Sequence, residues 1–221
     1  MGKSSKKYSG DIAVIGMGSL FPDARNTKEF WQNILGMKNS VTQVPERYWN
    51  IADFYDPNPF AKDKTYSKVA ATVPSLDFNP LEFGIPPKLL EDISTQQLLS
   101  LLVAKEALVD AGLHGENQKE FNRKKTGVIL AASLGMTGFT LNSRMDKPYI
   151  ERVLKMCLIP ENVIAEVGKR LDDIRPDWTE NSFPGYLANI VSGRIANRFD
   201  FGGTNCIVDA ACASSFSALK I

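Results

Sequence analysis

Thr204-Asn205-Cys206-Ile207-Val208-Asp209-Ala210-Ala211-Cys212-Ala213-Ser214 is the stretch on which the reading of this chain turns. A β-branched and apolar run gives way at an aspartate to alanines and serines, so the segment reads as a strand, a sharp turn and the start of a helix of small residues. Cys212 stands at that turn. A thiol at a helix N-terminus lies near unpaired backbone N–H groups and the positive end of the helix dipole, which favour the thiolate and its nucleophilicity. The same N–H groups would hold the oxyanion that forms when a thiolate attacks a thioester carbonyl. Cys212 is therefore the candidate nucleophile of an acyl transfer. The alternative is a small side chain packed among alanines and serines, a common place for a cysteine.

The surrounding composition is that of a globular protein, with 221 residues of which 43% are hydrophobic and 23% charged. Basic and acidic residues are interspersed and leave a net charge of +1, with no stripe to neutralise a phosphate backbone, so nucleic acid is not expected as a partner. No apolar run reaches the length of a bilayer span, and residues 1–10 lack the apolar core of a signal peptide. The expectation is a cytoplasmic protein without a membrane contact, whose residues 1–10 form a flexible tail. Lys6 stands where a myristoylation signal wants Ser or Thr. Three cysteines, at 157, 206 and 212, and one histidine fit neither a disulfide framework nor metal-ligand spacing, so no metal is expected.

Along the chain, Asp11-Ile12-Ala13-Val14-Ile15-Gly16-Met17-Gly18 reads as a buried strand leaving through a glycine turn. It begins like a dinucleotide fingerprint, but Phe21-Pro22 occupies the third glycine position and no acidic residue closes a second strand downstream. Residues 27–35 read as an amphipathic helix capped by Asn26 or Thr27. Residues 36–87, dense in proline and aromatic residues, read as a long ordered excursion. Helical spacing then runs from Pro87 to a C-cap at Gly112, and residues 126–133 form a second buried strand leading into a turn at 134–138. Two helices broken at Pro160 are expected over residues 148–175. A further helix opens at Pro184-Gly185, turns Leu187, Ile190, Val191, Ile195 and Phe199 to one face, and closes at Gly202-Gly203. Gly193 inside it costs about 1 kcal/mol relative to alanine, which implies a close approach by another element. Strands separated by helices indicate an α/β layered fold with largely parallel strands, whose sites gather at strand carboxyl ends. Ser133, Met136 and Cys212 all follow strands and could share a cavity, with Phe216 beside them. Cys206 reads as strand packing and Cys157 as helix-end core.

Taken in order, several motifs form a register: Asp11-Ile12-Ala13-Val14-Ile15-Gly16-Met17, Phe21-Pro22, Pro45-Glu46-Arg47-Tyr48-Trp49, Phe83-Gly84-Ile85, Gln96-Gln97-Leu98-Leu99, Glu106-Ala107-Leu108-Val109-Asp110-Ala111-Gly112, Ser192-Gly193-Arg194-Ile195 and Asp209-Ala210-Ala211-Cys212-Ala213-Ser214-Ser215. Together they resemble the N-terminal part of a β-ketoacyl synthase of the multidomain polyketide and polyunsaturated fatty acid synthase type. The resemblance implies a thiolase-like layered fold, of which residues 11–221 are the N-terminal half, a homodimer, and a decarboxylative Claisen condensation. In that family the cysteine at the position of Cys212 takes an acyl group from the phosphopantetheine arm of an acyl carrier protein, and no cofactor is bound directly. The helix of Gly193 would lie near the dimer interface.

Two departures, Ile93-Ser94-Thr95 before the glutamine pair and Ala213 and Phe216 after the cysteine, lean toward the polyunsaturated fatty acid, enediyne-like or glycolipid branches. The family draws two histidines from beyond the cysteine to steady the enolate. This sequence has His114 alone, in a polar loop that reads as solvated. The expectation is a fragment that accepts an acyl group but relies on downstream domains of the same polypeptide to finish the reaction. A non-catalytic ketosynthase-like dimerisation or chain-length partner is the alternative, and an unrelated cysteine hydrolase using His114 as base is a third reading.

Overall fold

The computed structural model describes residues 12–132, 138–173 and 177–221. The tail expected over residues 1–10 and the positions of Ser133 and Met136 lie outside them. The chain divides into two compact units, one of Met1–Leu76 with Val103–Glu120 and one of Asp77–Leu102 with Phe121–Ile221.

In the first unit, helix α1 (Thr27–Leu35) begins where the sequence places it, with the Asn26 side chain accepting from the Glu29 N–H at 2.9 Å. Glu29 returns the contact by accepting from Asn26 Nδ2 at 3.1 Å, a reciprocal cap that satisfies donors the helix itself cannot. Within the proline and aromatic excursion, strands β1 (Thr42–Gln43) and β2 (Val69–Ala70) pair antiparallel on either side of the short helix α2 (Ile51–Phe54). Trp49 and Phe54 meet edge to face at 5.8 Å, so this stretch is locally ordered by its aromatic rings.

Helix α3 (Thr95–Asp110) passes through the division between the units and ends before Gly112, whose φ of 70° gives the expected left-handed cap. Its last turns correct the reading of residues 11–18 as a buried strand. Among the described residues, 12–20 pair with no strand, and Ile12, Val14 and Ile15 are exposed. The backbone N–H groups of Met17 and Ser19 donate instead to Asp110 Oδ2 at 2.8 Å and Glu106 Oε2 at 3.1 Å. Those carboxylates replace a ladder partner. Gly16 and Gly18 are small because they cross this helix: a Cβ on Gly16 would fall 2.8 Å from Ala111 Cβ, and one on Gly18 would fall 2.8 Å from Ala107 N.

The second unit opens with two 3-10 turns, Pro80–Phe83 and Pro87–Asp92, and the extended Ile93 separates the latter from α3, so the helix expected from Pro87 onward starts later. Strands β3 (Val128–Ala131) and β4 (Asn205–Val208) pair parallel, Val128 opposite Asn205 and Ala131 opposite Val208, as the layered α/β reading requires. Between them lie α4 (Gly138–Met156), which carries Pro148 internally and starts earlier than expected, and α5 (Glu161–Asp173) beyond the break at Pro160. The two helices pack together, and Lys147 Nζ meets Asp172 Oδ2 at 2.5 Å.

The helix expected from Pro184 to residue 201 is two helices, α6 (Ser182–Tyr186) and α7 (Asn189–Arg198), with the extended Leu187 between them. Gln97 explains the break. It is fully buried, and its Nε2 donates to the carbonyls of Pro184 and Gly185 at 3.0 and 3.2 Å, the oxygens that a continuous helix would give to the next turn. Gln97 Oε1 accepts from Arg194 Nε, and burial lowers the basicity of that guanidinium. Helix α7 buries Val191, Ile195 and Ala196 and lies against both β3 and β4. A Cβ on Gly193 would meet just Asn205 Nδ2 at 3.8 Å, so the close approach expected there is absent among the described residues. Gly193 instead lines an open groove of about 420 Å³ with Phe83, Ile85, Leu101 and Arg194. Among the described residues no helix is long and apolar enough to cross a membrane.

Candidate active site

Strand β4 delivers the candidate nucleophile. Its last residue, Val208, accepts from the Ala132 N–H at 3.2 Å, so the carboxyl ends of β3 and β4 stay together as the chain leaves the sheet. Asp209 Oδ1 then accepts from the Ala211 N–H at 3.1 Å, a side-chain turn that reverses the backbone without a glycine. Ala211 has a φ of 49°, in the left-handed region that alanine rarely enters and that costs roughly 1–2 kcal/mol. The 3-10 turn Ala211–Ala213 follows, and helix α8 (Ser214–Lys220) lies against β3 and β4. Cys212 is the middle residue of that turn, and it is exposed.

The placement refines the expectation of a thiol on the first turn of a helix: Cys212 stands one short turn ahead of α8. Hydrogen bonding within the elbow is dense. The N–H groups of Ala213 and Ser214 donate back to the carbonyls of Ala210 and Ala211, and that of Ala210 donates to Ser214 Oγ at 2.8 Å. Ser214 Oγ in turn donates to the Ala211 carbonyl at 2.7 Å, and Ser214 is buried. Among the described residues, these bonds engage the N–H groups around Cys212 but not that of Cys212 itself.

The other sequence candidates disperse. Cys206 is half-buried in β4 opposite Ile129, as a packing residue would be. Cys157 is exposed, which corrects the reading of it as core: α4 ends at Met156, and the chain turns through Leu158 at a φ of 60° instead of folding the thiol inward. His114 lies in the turn after α3 and is half-buried, less open to solvent than the loop expected. Phe216 projects from α8 and is exposed. Among the described residues no cluster of histidine, cysteine or carboxylate side chains could hold a metal ion. Sequence reasoning missed Ser214 and the left-handed Ala211. No local signal singles them out, because Asp209 and Ser214 reach the backbone of one turn through the left-handed conformation of Ala211.

Residues 9–221 match the family described as Beta-ketoacyl synthase, N-terminal domain. This chain belongs to that family. It is 35% identical over 211 residues to a polyunsaturated fatty acid synthase protein of Thraustochytrium sp., covering 95% of this chain and 7% of that protein. To the polyketide synthase PksL of Bacillus subtilis it is 34% identical over 205 residues, 92% of this chain and 4% of the relative. Among solved structures, the oxazolomycin ketosynthase domain OzmH KS7 of Streptomyces albus matches with a TM-score of 0.65 at 23% identity, over 93% of this chain and 30% of that one. The ketosynthase from module 6 of the bacillaene synthase of Bacillus subtilis matches equally well, with a TM-score of 0.65 at 23% identity, over 94% of this chain and 28% of its own. This chain therefore spans less than a third of each of these proteins. The structural likeness shows the fold, the thiolase-like layered fold of ketosynthase domains in its N-terminal half.

Proposed function

We propose that residues 11–221 are the acyl-accepting half of a ketosynthase domain, preceded by a tail at residues 1–10, and that Cys212 is its nucleophile. The observation that carries this reading is the exposed Cys212 on a strained elbow at the carboxyl end of a parallel strand, in a chain of the β-ketoacyl synthase family. The Cys212 thiolate attacks the thioester carbonyl of an acyl chain carried on the phosphopantetheine arm of an acyl carrier protein. Its oxygen takes up the charge, the C–S bond to the arm breaks, and the arm leaves as a thiol once it gains a proton, with the acyl group on Cys212. The elbow narrows the expectation about the oxyanion: with the neighbouring N–H groups engaged among the described residues, the Cys212 N–H is the donor this turn offers it.

The second step, decarboxylation of a malonyl unit and attack of its enolate on the acyl-cysteine, completes an acyltransferase of the condensing type in polyketide or fatty acid biosynthesis. The enolate needs strong donors, which in this reading are histidines from the remainder of the domain, since the chain holds one histidine in all. The partners are the acyl carrier protein, downstream domains of the same polypeptide and a second copy of the chain, and the compartment is the cytoplasm. The two departures from the usual motifs and the likeness to a polyunsaturated fatty acid synthase support the fatty acid side of this range.

The test is to incubate the intact protein with a carrier protein bearing a short acyl chain, digest it and locate the added mass. The acyl group is expected on the peptide containing Cys212. An acyl group on Cys157 or Cys206, or on no residue, overturns the assignment. In the same assay His114→Ala is expected to leave the rate of Cys212 acylation within about twofold of the parent, because the proposed acyl transfer assigns His114 no step. Loss of acylation in a folded His114→Ala protein would instead support a cysteine hydrolase with His114 as its base.

A further inference from the structure

We infer that Ser214 is a positioning residue that holds Cys212 in attacking geometry by bracing the left-handed Ala211; this rests on the nucleophilic role proposed for Cys212. Ser214 does not lie where an acyl chain would, since its hydroxyl is turned back into the elbow and its side chain is buried. That hydroxyl accepts from the Ala210 N–H at 2.8 Å and donates to the Ala211 carbonyl at 2.7 Å. It thereby clamps the backbone on both sides of the residue whose φ is 49°. A non-glycine residue persists in such a conformation where its surroundings over-determine it, and here the clamp comes from Ser214 together with Asp209 Oδ1 on the Ala211 N–H. Both reacting features, the Cys212 N–H and Cys212 Sγ, lie immediately downstream of the Ala211 φ bond. Relaxing that φ swings Cys212 Sγ and the Cys212 N–H together, so release of the clamp misaligns the nucleophile and the oxyanion donor in one motion.

The experiment is a double-mutant cycle in the intact protein, combining Ser214→Ala with Ala211→Gly, and it reads the saturating rate of Cys212 acylation by an acyl thioester of phosphopantetheine, the Cys212 alkylation rate with iodoacetamide and the thermal midpoint. Ser214→Ala is expected to slow acylation by about 10- to 100-fold, the scale of a displacement near 1 Å. Ser214→Thr, which keeps the hydroxyl, is expected to recover most of the rate. Iodoacetamide, whose displacement uses no oxyanion donor, should lose much less than acylation does, a split that general unfolding would not produce. Glycine occupies positive φ without strain, so in the Ala211→Gly background the same serine change is expected to cost several-fold less. The double variant also supplies the reading if Ser214→Ala alone does not fold. Equal costs in the two backgrounds, or a Ser214→Ala protein that acylates at the parent rate, overturn the positioning role. A parent protein that is not acylated on Cys212 at all overturns the proposed function instead.

Discussion

Cys212→Ala is expected to abolish acyl loading, by a factor of at least about 10³, the scale seen when a covalent nucleophile is removed. The expectation is specific because the chain keeps two other thiols, and the structure separates their surroundings. Cys206 is half-buried within β4, a strand against which α7 and α8 pack, and no turn there aligns a donor with its sulfur. Cys157 is exposed, but it follows α4 and has no elbow to align a donor with its sulfur. The substitution should leave the fold alone: Cys212 is exposed in a 3-10 turn whose neighbours at 210, 211 and 213 are already alanines. A thermal midpoint within about 1–2 °C of the parent is therefore expected, in line with exposed substitutions away from special features. The measurement is intact mass after incubation with an acylated carrier protein. Loading of the variant at more than about a tenth of the parent rate would assign the chemistry to another residue.

The parts of the fold that were legible in sequence are those that local physics decides. Asn26 advertises α1 because an N-cap needs a side-chain acceptor for the helix's unpaired N–H groups, and its side-chain carbonyl is found accepting from the Glu29 N–H. The runs at 126–133 and 204–208 contain the strands β3 and β4 because β-branched and apolar residues there sit between turn formers, and the two pair with each other in parallel. The errors occur where a residue far along the chain overrides local pattern. Residues 12–17 have the composition of a buried strand, but the N–H groups of Met17 and, just beyond it, Ser19 go to Asp110 and Glu106, carboxylates some ninety residues away that no periodicity reveals. The helix expected through residues 184–199 has an uninterrupted apolar face, and it breaks at the extended Leu187, where the buried Gln97 donates to the carbonyls of Pro184 and Gly185.

The candidate site shows the same division. Cys212 could be found because a strand running into small residues is a local signal, and the motifs in register supplied the family to which the chain belongs. Ser214 could not be ranked above the serines beside it. Ser214 and Ser215 are chemically equal in sequence, and the direction of the hydroxyl follows from the left-handed turn at Ala211, which nothing in an alanine announces. Tertiary strain at a functional turn is legible only once the backbone is seen.

Gly185→Ala is expected to destabilise the protein by about 3–5 kcal/mol, the sum of an overpacking cost and the polar contacts it would break. A Cβ at residue 185 would lie inside the van der Waals envelope of the Asp92 carbonyl oxygen and 3.1 Å from its carbon. Backbone stands on both sides of that contact, so no side chain can swing away to relieve it. Neither side is free to retreat: Asp92 accepts from Ser182 Oγ at 2.5 Å and from Thr179 Oγ1 at 2.9 Å, while the Gly185 carbonyl is held by the buried Gln97. Gly193→Ala is the matched comparison, since a Cβ there meets just Asn205 Nδ2 at 3.8 Å and replaces a mid-helix glycine. It is expected to stabilise by up to about 1 kcal/mol. For a chain of this size each kcal/mol moves the midpoint by about 2–4 °C, so calorimetry on the intact protein should show a fall of about 10 °C for the first variant and a rise of a few degrees for the second. Equal midpoints would mean that α6 does not press on Asp92 as described. A further consequence reaches the site, because α7 follows α6 directly and lies against β4, the strand that carries the Cys212 elbow. Any Gly185→Ala protein that folds should therefore acylate Cys212 more slowly than the Gly193→Ala protein, even below its midpoint.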